Sequence, residues 1–562
     1  MGKISSSLFK FSDKIFNFAQ KFENIPNKTP EIAVLVLYPI LFIVFSFYHE
    51  PWYDEAQAWQ IAKCATYRDI LLYLPHFEGH PPFWHLILSI FAKNNFPYEI
   101  TIKTISFVFS YLALFLLIFK APFFRIIKIL LPFTYFLFYH YAIISRPYCM
   151  VMLAFCLLAI NYKKKSIKYA LSLVFLAMCH AYTFIISSFL ALIWFVEEIK
   201  KKSLKNILLF FGLAVFYLST AYILIPSKEA LAMNESIQNT FFEKLLYTFF
   251  AIPSDSLFTF INTGLHIRSY ELISGIFGGL FIFGFLYFYT KKSKLYLTFF
   301  VPYIPFSIFA TKYFYLHHSG IIFCFIVFIA WLETVKRKKT ETVSKNEKTV
   351  NKCFTLFVFI VMFSNLYLSF KSCILDVFYT YSIGRNEANF IKEHKLNNYK
   401  IMVEWPYEEE YENPNIDGIW LSVAPYFEKN IFYNFSIKNP EKNYILSKIS
   451  SKKENEEIFS LWEKVGPPDV IAGRANVEKF FGKNISDNYI IVYSNNYSYI
   501  HKGIPLFAET SNIRVEKELA KKLNLKEVTP KEVSHKVDLF RITTYIVCKI
   551  FDFKNDFLEN KK

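Results

Sequence analysis

The sequence lacks the short motifs by which several large classes of soluble enzyme are recognised. It contains no Walker loop, no GxGxxG, no HExxH and no GxSxG. Its eight cysteines include no CxxC pair and no His/Cys spacing typical of a metal site. Cys149, Cys156, Cys179 and Cys324 lie inside apolar runs, so we expect them to pack in a core. These absences give no support to a nucleotide-binding protein, a zinc protease or a serine hydrolase.

Long apolar runs dominate the chain instead. Hydrophobic residues make up 54% of the 562 residues, and short basic clusters separate apolar runs of roughly 15–20 residues. This pattern is typical of an α-helical multi-pass membrane protein. We predict eleven spans, near 31–48, 101–119, 126–143, 147–161, 167–180, 182–196, 206–226, 270–290, 295–311, 319–334 and 353–371.

The net charge of +17 does not predict a nucleic-acid partner, because the Lys and Arg residues cluster between the apolar runs. In that position they set the orientation of a membrane protein. Residues 81–92 are apolar, but a dozen residues are too few to cross about 30 Å as a helix. If they do not span, the inner connections hold 26 Lys and Arg and the short outer connections hold 8. The positive-inside rule therefore predicts an interfacial helix at 81–92.

This orientation predicts three parts. Residues 1–30 form a cytoplasmic amphipathic N-terminus, with apolar residues at helical spacing, that lies along the inner membrane surface. Residues 31–371 form the transmembrane domain, including a first loop, 49–100, on the outer side. Residues 372–562 are more polar and mix predicted helices, strands and turns, so we expect an extracytoplasmic α/β domain there. We predict a multi-pass protein of the plasma (inner) membrane.

Polar residues gather at the predicted outer ends of the spans. The set comprises Asp54, Glu55, Glu78 and His80 in the first loop, then Arg146, Tyr148, His180, Lys312, His317 and His318. Each has a structural alternative: Asp54 and Glu55 could cap a helix, Arg146 could snorkel to lipid head groups, and His180 could be a packed bundle histidine. Capping does not account for the whole string of acids, so we favour a functional role for Asp54. Carboxylates, cations and histidines at one depth predict a site for an anionic, lipid-embedded substrate.

Two stretches of the first loop carry a family resemblance. "EPWYDEAQAW", from Glu50, and "FEGHPPFWHL", from Phe77, resemble the first outer loop of GT-C membrane glycosyltransferases. The relatives they resemble are the protein O-mannosyltransferases and the lipid A aminoarabinose transferases. These have an Asp-Glu pair after the first span and a Pro-Pro turn that opens a juxtamembrane helix. The resemblance covers about the first two hundred residues, only the outline of 200–371, and does not extend to 372–562.

The resemblance implies a GT-C fold and an enzyme that takes a sugar from a polyprenyl-phosphate lipid. It transfers the sugar to an acceptor hydroxyl on the extracytoplasmic face, with inversion. The acceptor is a lipid, a glycan or a protein, and the resemblance does not specify which sugar is transferred. Asp54 is the implied general base, with Glu55 as its catalytic partner.

The leaving phosphate needs cations. Arg146 is our first choice for this role and Lys312 the second, followed by His80, His317 and His318. Glu78 is expected to orient His80 or a sugar hydroxyl, and Tyr148 and His180 complete the substrate-binding set.

The chain departs from the family after its third predicted span. Many relatives carry a second Asp there, whereas this chain reads "ISRPYCM", with Arg146 and Tyr148. Arginine can neutralise phosphate where some relatives use two acids and sometimes a metal. The sequence therefore predicts no particular cofactor, and the missing second Asp puts a divalent metal in doubt.

Two other classes of function compete with an enzyme. A transporter or flippase of a lipid-linked or anionic substrate would line a transit path with the same charges. Transporters usually place ionisable groups at mid-membrane, often in two similar halves, and we find no half-to-half similarity. A receptor or scaffold that binds through its C-terminal domain would not need so many spans.

Cysteine labelling tests the predicted orientation. Glu78→Cys and Arg146→Cys should both react with a membrane-impermeant maleimide from the same side of the bilayer. Lys164→Cys, in the basic cluster "YKKKSIK", should react only from the opposite side. Labelling of Glu78→Cys and Arg146→Cys from opposite sides would show that 81–92 crosses the membrane.

Overall fold

The computed structural model describes residues 2–199, 204–228, 230, 240–258, 269–312, 314, 316–337, 345–403, 418–433, 452–473, 477–501 and 504–531. Helix predominates in these ranges, and a small sheet lies in the C-terminal region. Seven of the described helices are long and apolar enough to cross a membrane: Thr29–Tyr48, Tyr98–Lys120, Ala181–Glu198, Leu204–Leu224, Ser269–Thr290, Ser319–Arg337 and Lys345–Phe378. The chain is therefore a multi-pass membrane protein.

Four predicted spans take other forms. Residues 125–143 form two helical pieces, Arg125–Phe133 and Tyr135–Ile143, bent by 40°, which give an eighth span if they are counted as one. The helices Val151–Asn161, Ile167–Ala177 and Leu295–Ala310 are 11, 11 and 16 residues long. At 1.5 Å per residue, each is shorter than a bilayer core of about 30 Å. The count of eleven is thus unconfirmed and stays a prediction.

The first loop folds into short helices that pack on one another. They are Tyr53–Cys64, Asp69–Tyr73, Pro75–Glu78 and Phe83–Ala92. Phe83–Ala92 has only 10 residues, as the sequence predicts for a segment that does not span. It packs against Tyr53–Cys64 and buries Trp84 and Leu88. Gly79 has φ +64°, a conformation that favours glycine, and it turns the chain between the two halves of the loop.

The N-terminal segment is helical, as predicted. The helix Gly2–Glu23 packs against Lys345–Phe378, and Lys352 Nζ lies 2.5 Å from Asp13 Oδ1. The next connection is held by Arg125, whose Nε donates to Glu31 Oε1 at 2.6 Å. This buried guanidinium also donates to the carbonyls of Ile25 and Asn27. The N-terminal helix is therefore attached to the bundle near its middle, and Arg125 holds the connection that follows it.

The remaining bundle elements are short. The described α-helices are Phe241–Leu246 and Ile252–Phe258, joined by the π-helical turn Tyr247–Ala251. The described 3₁₀ turns are Leu131–Phe133, Pro147–Met150, Tyr162–Lys164 and Leu316–His318. Two of these turns, Pro147–Met150 and Leu316–His318, carry polar residues of the site described below.

The C-terminal region has a four-stranded sheet and its own hydrophobic core. The strands are β1 (Ile401–Val403), β2 (Val470–Ala472), β3 (Tyr489–His501) and β4 (Ile504–Glu516), in the order β1-β2-β4-β3. β1 and β2 are parallel, and the other neighbours are antiparallel. The described helices here are Gly384–Glu393, Lys452–Val465, Glu478–Phe481 and Lys517–Lys522, with 3₁₀ turns at Leu396–Asn398, Gly418–Ser422, Ala424–Tyr426 and Ile485–Asn488. The last long helix continues past 371 to Phe378 before this unit begins.

Polar contacts dock the C-terminal unit on the bundle. Arg385 binds the Glu99 carboxylate through two nitrogens, at 3.0 and 3.2 Å, and the Tyr426 hydroxyl donates to Glu99 at 2.8 Å. In addition, the Ser498 N–H donates to the Thr380 carbonyl at 2.8 Å. These contacts hold the sheet beside the first loop.

Removing Arg385 should loosen this docking. In Arg385→Ala, the largely buried Glu99 carboxylate loses the two hydrogen bonds from Arg385. This loss should lower the free energy of unfolding by about 1–3 kcal/mol. We expect faster hydrogen exchange in the segment 384–393, measured by mass spectrometry on the purified protein. The matched control is Glu393→Ala, which removes an exposed charge from the same helix. Unchanged exchange in Arg385→Ala would show that docking does not depend on this pair.

Candidate functional site

Asp54 lies in the first turn of the helix Tyr53–Cys64, but it does not cap that helix. The N-cap residue is Trp52, and its backbone N–H donates to Glu55 Oε2 at 2.7 Å. Glu55 therefore supplies the side-chain partner for the helix start. The capping role considered for both acids belongs to Glu55 alone, and the Asp54 carboxylate faces another partner.

That partner is Arg146. Its Nη1 lies 3.0 Å from Asp54 Oδ2, with 31% of the Asp54 side chain and 15% of the Arg146 side chain exposed. Burial raises the pKa of Asp54, whereas the adjacent Arg146 charge lowers it and Glu55 raises it. A carboxylate whose pKa is raised accepts a proton more readily. The structure thus brings together the two residues for which the main chemical roles are predicted.

Tyr148 extends the site beyond Arg146. The Arg146 guanidinium lies over the Tyr148 ring, with Cζ 5.2 Å from the ring centroid. On its other side, the Tyr148 hydroxyl is 3.0 Å from His180 Nε2. The backbone N–H of Tyr182 donates to His180 Nδ1 at 3.2 Å. A neutral ring that accepts at Nδ1 carries its hydrogen on Nε2, so His180 donates to the Tyr148 oxygen.

Histidines from four parts of the chain meet next to Tyr148. We call His80, His140, His180, His317 and His318 the histidine cluster. Ring centroids are 4.5 Å apart for His80 and His180, 5.0 Å for His180 and His318, 4.2 Å for His317 and His318, and 5.8 Å for His140 and His317. Burial, His180 and Arg146 all lower the pKa of His80, so its ring is neutral at neutral pH. The predicted histidines therefore lie together, and His140 joins them.

A buried chain of side chains supports Arg146 from behind. Glu55 is 0% exposed, and its Oε1 accepts a hydrogen bond from the Ser145 N–H at 2.7 Å. Glu55 Oε2 is 3.4 Å from His49 Nε2, and His49 Nδ1 is 2.7 Å from Asp376 Oδ2. This Glu55–His49–Asp376 chain links the end of the last long helix to the residue before Arg146. Glu55 is therefore placed to position the site, while Asp54 faces its open side.

Sequence reasoning missed His49, Asp376 and Asp255 as parts of this arrangement. Asp255 is fully buried, and its Oδ2 accepts from the Ser319 hydroxyl at 2.7 Å, directly after His318 in the chain. A carboxylate inside an apolar span is a readable signal, because burying one without a partner is costly. Asp255 lies outside the predicted spans, and Asp376 lies beyond the predicted end of the last span at 371, so neither gave that signal. The partner of Asp376 could not be predicted either, since 327 residues separate it from His49.

Two predicted residues make other contacts. The Gln57 amide donates to Glu78 Oε1 at 3.3 Å, so Glu78 is held by the helix that also carries Asp54. The contact expected between Glu78 and His80 is not among the described hydrogen bonds. Lys312 follows the helix Leu295–Ala310 with an exposed side chain, and none of the ion pairs found between described residues involves it. Arg146 is thus the cation that the described contacts place at the site.

The residues around Asp54 do not fit a metal ion. No group of three or more His, Cys, Asp or Glu side chains is arranged to hold one in the described part of the chain. The Asp54 carboxylate also has a guanidinium against it, whose positive charge opposes a second cation. We therefore derive no step through a metal here.

Comparison with protein-family models gives no match for this chain, and comparison with curated proteins gives none either.

The Glu55–His49–Asp376 chain predicts a dependence of stability on pH. Burial lowers the pKa of His49, but the neighbouring Asp376 and Glu55 carboxylates raise it by more, to about 9. Lys103, which donates to the His49 carbonyl, and Tyr381, whose ring packs on His49, complete its surroundings. Because the folded pKa lies above the ordinary 6.5, this contribution is full below about pH 6.5 and is lost as the pH rises through 9.

Thermal unfolding between pH 6 and 10 measures this loss. Asp376→Asn removes the main partner, so we expect a lower melting temperature at pH 6–7 and a weaker decline towards pH 10. His394→Gln, at a histidine in the C-terminal unit, is the control and should keep the wild-type profile. Parallel profiles for Asp376→Asn and the wild type would mean that His49 is not charged in the folded protein.

Proposed function

We propose that this protein is an integral-membrane glycosyltransferase of GT-C type. It moves a sugar from a polyprenyl-phosphate-linked donor to an acceptor hydroxyl, with inversion. The observation that carries the proposal is the Asp54–Arg146 ion pair at 3.0 Å. It joins a candidate base to a candidate phosphate-binding group, beside neutral hydrogen-bonding rings, in a protein with many apolar helices.

Asp54 acts as the general base in this proposal. The acceptor O–H gives its proton to Asp54 as its oxygen attacks the anomeric carbon. The bond between that carbon and the phosphate oxygen breaks, and polyprenyl phosphate leaves with the electron pair. One displacement inverts the anomeric centre. The raised pKa of Asp54 suits this step, because the carboxylate has to hold a proton as the bond forms.

Arg146 stabilises the leaving phosphate. Its contact with Asp54 uses Nη1, and the guanidinium carries further N–H donors in a planar fork that matches phosphate oxygens. Tyr148 and the neutral His80 add hydrogen-bonding groups on the same side. Charge grows on the phosphate as the glycosidic bond breaks, so donors already held in place lower the barrier. Lys312, His317 and His318 remain secondary candidates for this role.

Glu55 has a positioning role rather than a chemical one. Its carboxylate accepts from Ser145 and Trp52 and lies beside His49, in a position with no exposed surface. These bonds hold the start of the Asp54 helix against the backbone of Arg146. Glu55 therefore sets the distance between the Asp54 carboxylate and the Arg146 guanidinium.

The remaining parts of the proposal concern the membrane. Many large apolar side chains of the long helices are exposed, such as Phe115, Phe211 and Phe277, and such surfaces suit lipid and a polyprenyl tail. The excess of Lys and Arg on the opposite connections supports an extracytoplasmic site in the plasma (inner) membrane. The C-terminal unit borders the first loop, which makes it the candidate for contacts with the acceptor. A transporter is less well supported, because the polar residues of the candidate site lie together at one end of the bundle rather than along it.

Replacement of the two central residues tests the mechanism. Asp54→Asn keeps the size of the side chain and loses the base, so turnover should fall by about 10²–10⁴-fold. Arg146→Lys keeps the charge and loses the fork, so turnover should fall by about 10²-fold. The measurement is release of free polyprenyl phosphate by purified protein from a panel of polyprenyl-phosphate sugars.

The controls are Asp69→Asn and Arg68→Lys, which make the same changes elsewhere in the first loop. Asp69 bonds to Thr66 there, away from Arg146. Both controls should keep wild-type turnover. Wild-type turnover by correctly inserted Asp54→Asn would show that Asp54 is not the base.

A further inference from the structure

A second group of buried polar side chains lies where the first loop meets the C-terminal unit. Its members are Glu50, Glu387, Asn495 and Ser511, whose residues are 4%, 0%, 9% and 3% exposed. Glu50 Oε2, both carboxylate oxygens of Glu387, Asn495 Nδ2 and Ser511 Oγ have no hydrogen-bond partner within the described part of the chain. Buried polar atoms are nearly always partnered, so this group points to a ligand.

The fold brings these four residues together. The helix Gly384–Glu393 lies on the sheet, where the ring of Phe390 is 4.6 Å from that of Tyr493 on β3. Glu387 lies about one turn earlier on the same helix face. Asn495 and Ser511 are directly opposed on β3 and β4, so their side chains share the face that carries Tyr493. The Glu50 carboxyl raises the pKa of Glu387 and the Ser511 hydroxyl lowers it, so both groups are near enough to Glu387 to interact with it.

The cations of this region are used by another carboxylate. Arg385 and Lys103 both bind Glu99, at 3.0 and 3.8 Å. Lys531 also acts on Glu387, but its side chain is exposed. Burial and the mutual repulsion of Glu50 and Glu387 raise the pKa of Glu387, and burial raises the pKa of Glu50 to about 7 despite Arg385. Two buried carboxylates cannot both stay charged without compensation, so they take up protons or a cation.

We propose that Glu50, Glu387, Ser511 and Asn495 bind one hard divalent cation of the calcium class. Two carboxylates balance its charge, and the Ser511 hydroxyl and the Asn495 amide add neutral oxygens. The amide presents its oxygen after a half-turn about its last bond, since the two amide atoms have nearly the same shape. Calcium takes six to eight oxygen ligands in irregular geometry, whereas magnesium demands a near-ideal octahedron.

The proposed cation site lies between the first loop and the C-terminal unit. Glu50 directly follows His49 of the Glu55–His49–Asp376 chain and precedes the helix that carries Asp54. Glu387 belongs to the C-terminal unit. A cation shared by the two would tie that unit to the loop that holds the candidate active site. The inference does not depend on glycosyl transfer, because cation binding is measured without any sugar donor.

Calcium titration of the full chain tests the proposal. Purified protein in lipid nanodiscs, freed of metal with a chelator, is titrated with CaCl₂ at pH 7.5 by isothermal calorimetry. We expect one site, with a dissociation constant of about 10⁻⁴–10⁻³ M, the range of extracellular calcium modules. Glu387→Gln should weaken binding at least about tenfold, because it removes one of two charged ligands. MgCl₂ should bind more weakly than CaCl₂.

Two variants make the test specific. Glu393→Gln changes an exposed carboxylate on the same helix and should bind calcium like the wild type. Ser511→Ala removes a neutral ligand and should weaken binding several-fold, which keeps the test valid if Glu387→Gln fails to fold. Absence of binding by the wild type at millimolar calcium would overturn the proposal and favour protonated carboxyls. Equal affinity of folded Glu387→Gln and the wild type would overturn it as well.

Discussion

The ion pair between Asp54 and Arg146 is the contact on which the candidate site depends. One long helix, Tyr98–Lys120, and the bent segment 125–143 separate the two residues in the chain, and their charged groups lie 3.0 Å apart in a partly exposed position. Burial raises the pKa of Asp54, whereas the adjacent Arg146 charge lowers it and partly offsets the cost of the carboxylate's charge. The same guanidinium stacks on Tyr148, which in turn contacts His180. Arg146 and Tyr148 thus connect Asp54 to the histidine cluster.

Burial explains why the supporting residues are arranged as they are. A carboxylate in the interior needs hydrogen bonds or a cation, and Glu55 receives them from Ser145, Trp52 and His49. Asp376 ends the same chain from the last long helix. Both carboxylate oxygens of Glu387 and Oε2 of Glu50 lack a hydrogen-bond partner among the described residues, and these atoms are the basis for the proposed cation site.

Much of the outline was readable from the sequence, for physical reasons that can be named. A short helix after Pro82 is confirmed, and its 10 residues are too few to cross a bilayer; its place at the membrane interface stays a prediction. The N-terminal helix followed from apolar spacing alone. The count of spans was less secure, since Val151–Asn161 and Ile167–Ala177 are apolar but end too early. Apolar composition does not reveal where a helix ends within a membrane-embedded helix bundle. The role of Lys312 in phosphate binding stays a prediction, because depth along a span does not give direction around it.

The sequence by itself determined the class of the protein, the short helices of the first loop, and which residue types could carry chemistry. Those properties depend on hydrophobic periodicity, segment length and local charge, which neighbouring residues decide. Only the tertiary structure decided that Glu55 supports while Asp54 faces Arg146, that Asp376 reaches His49, and that five histidines meet. These contacts join residues tens to hundreds of positions apart. Packing of whole helices sets them, and no local pattern in the chain encodes a partner at that distance.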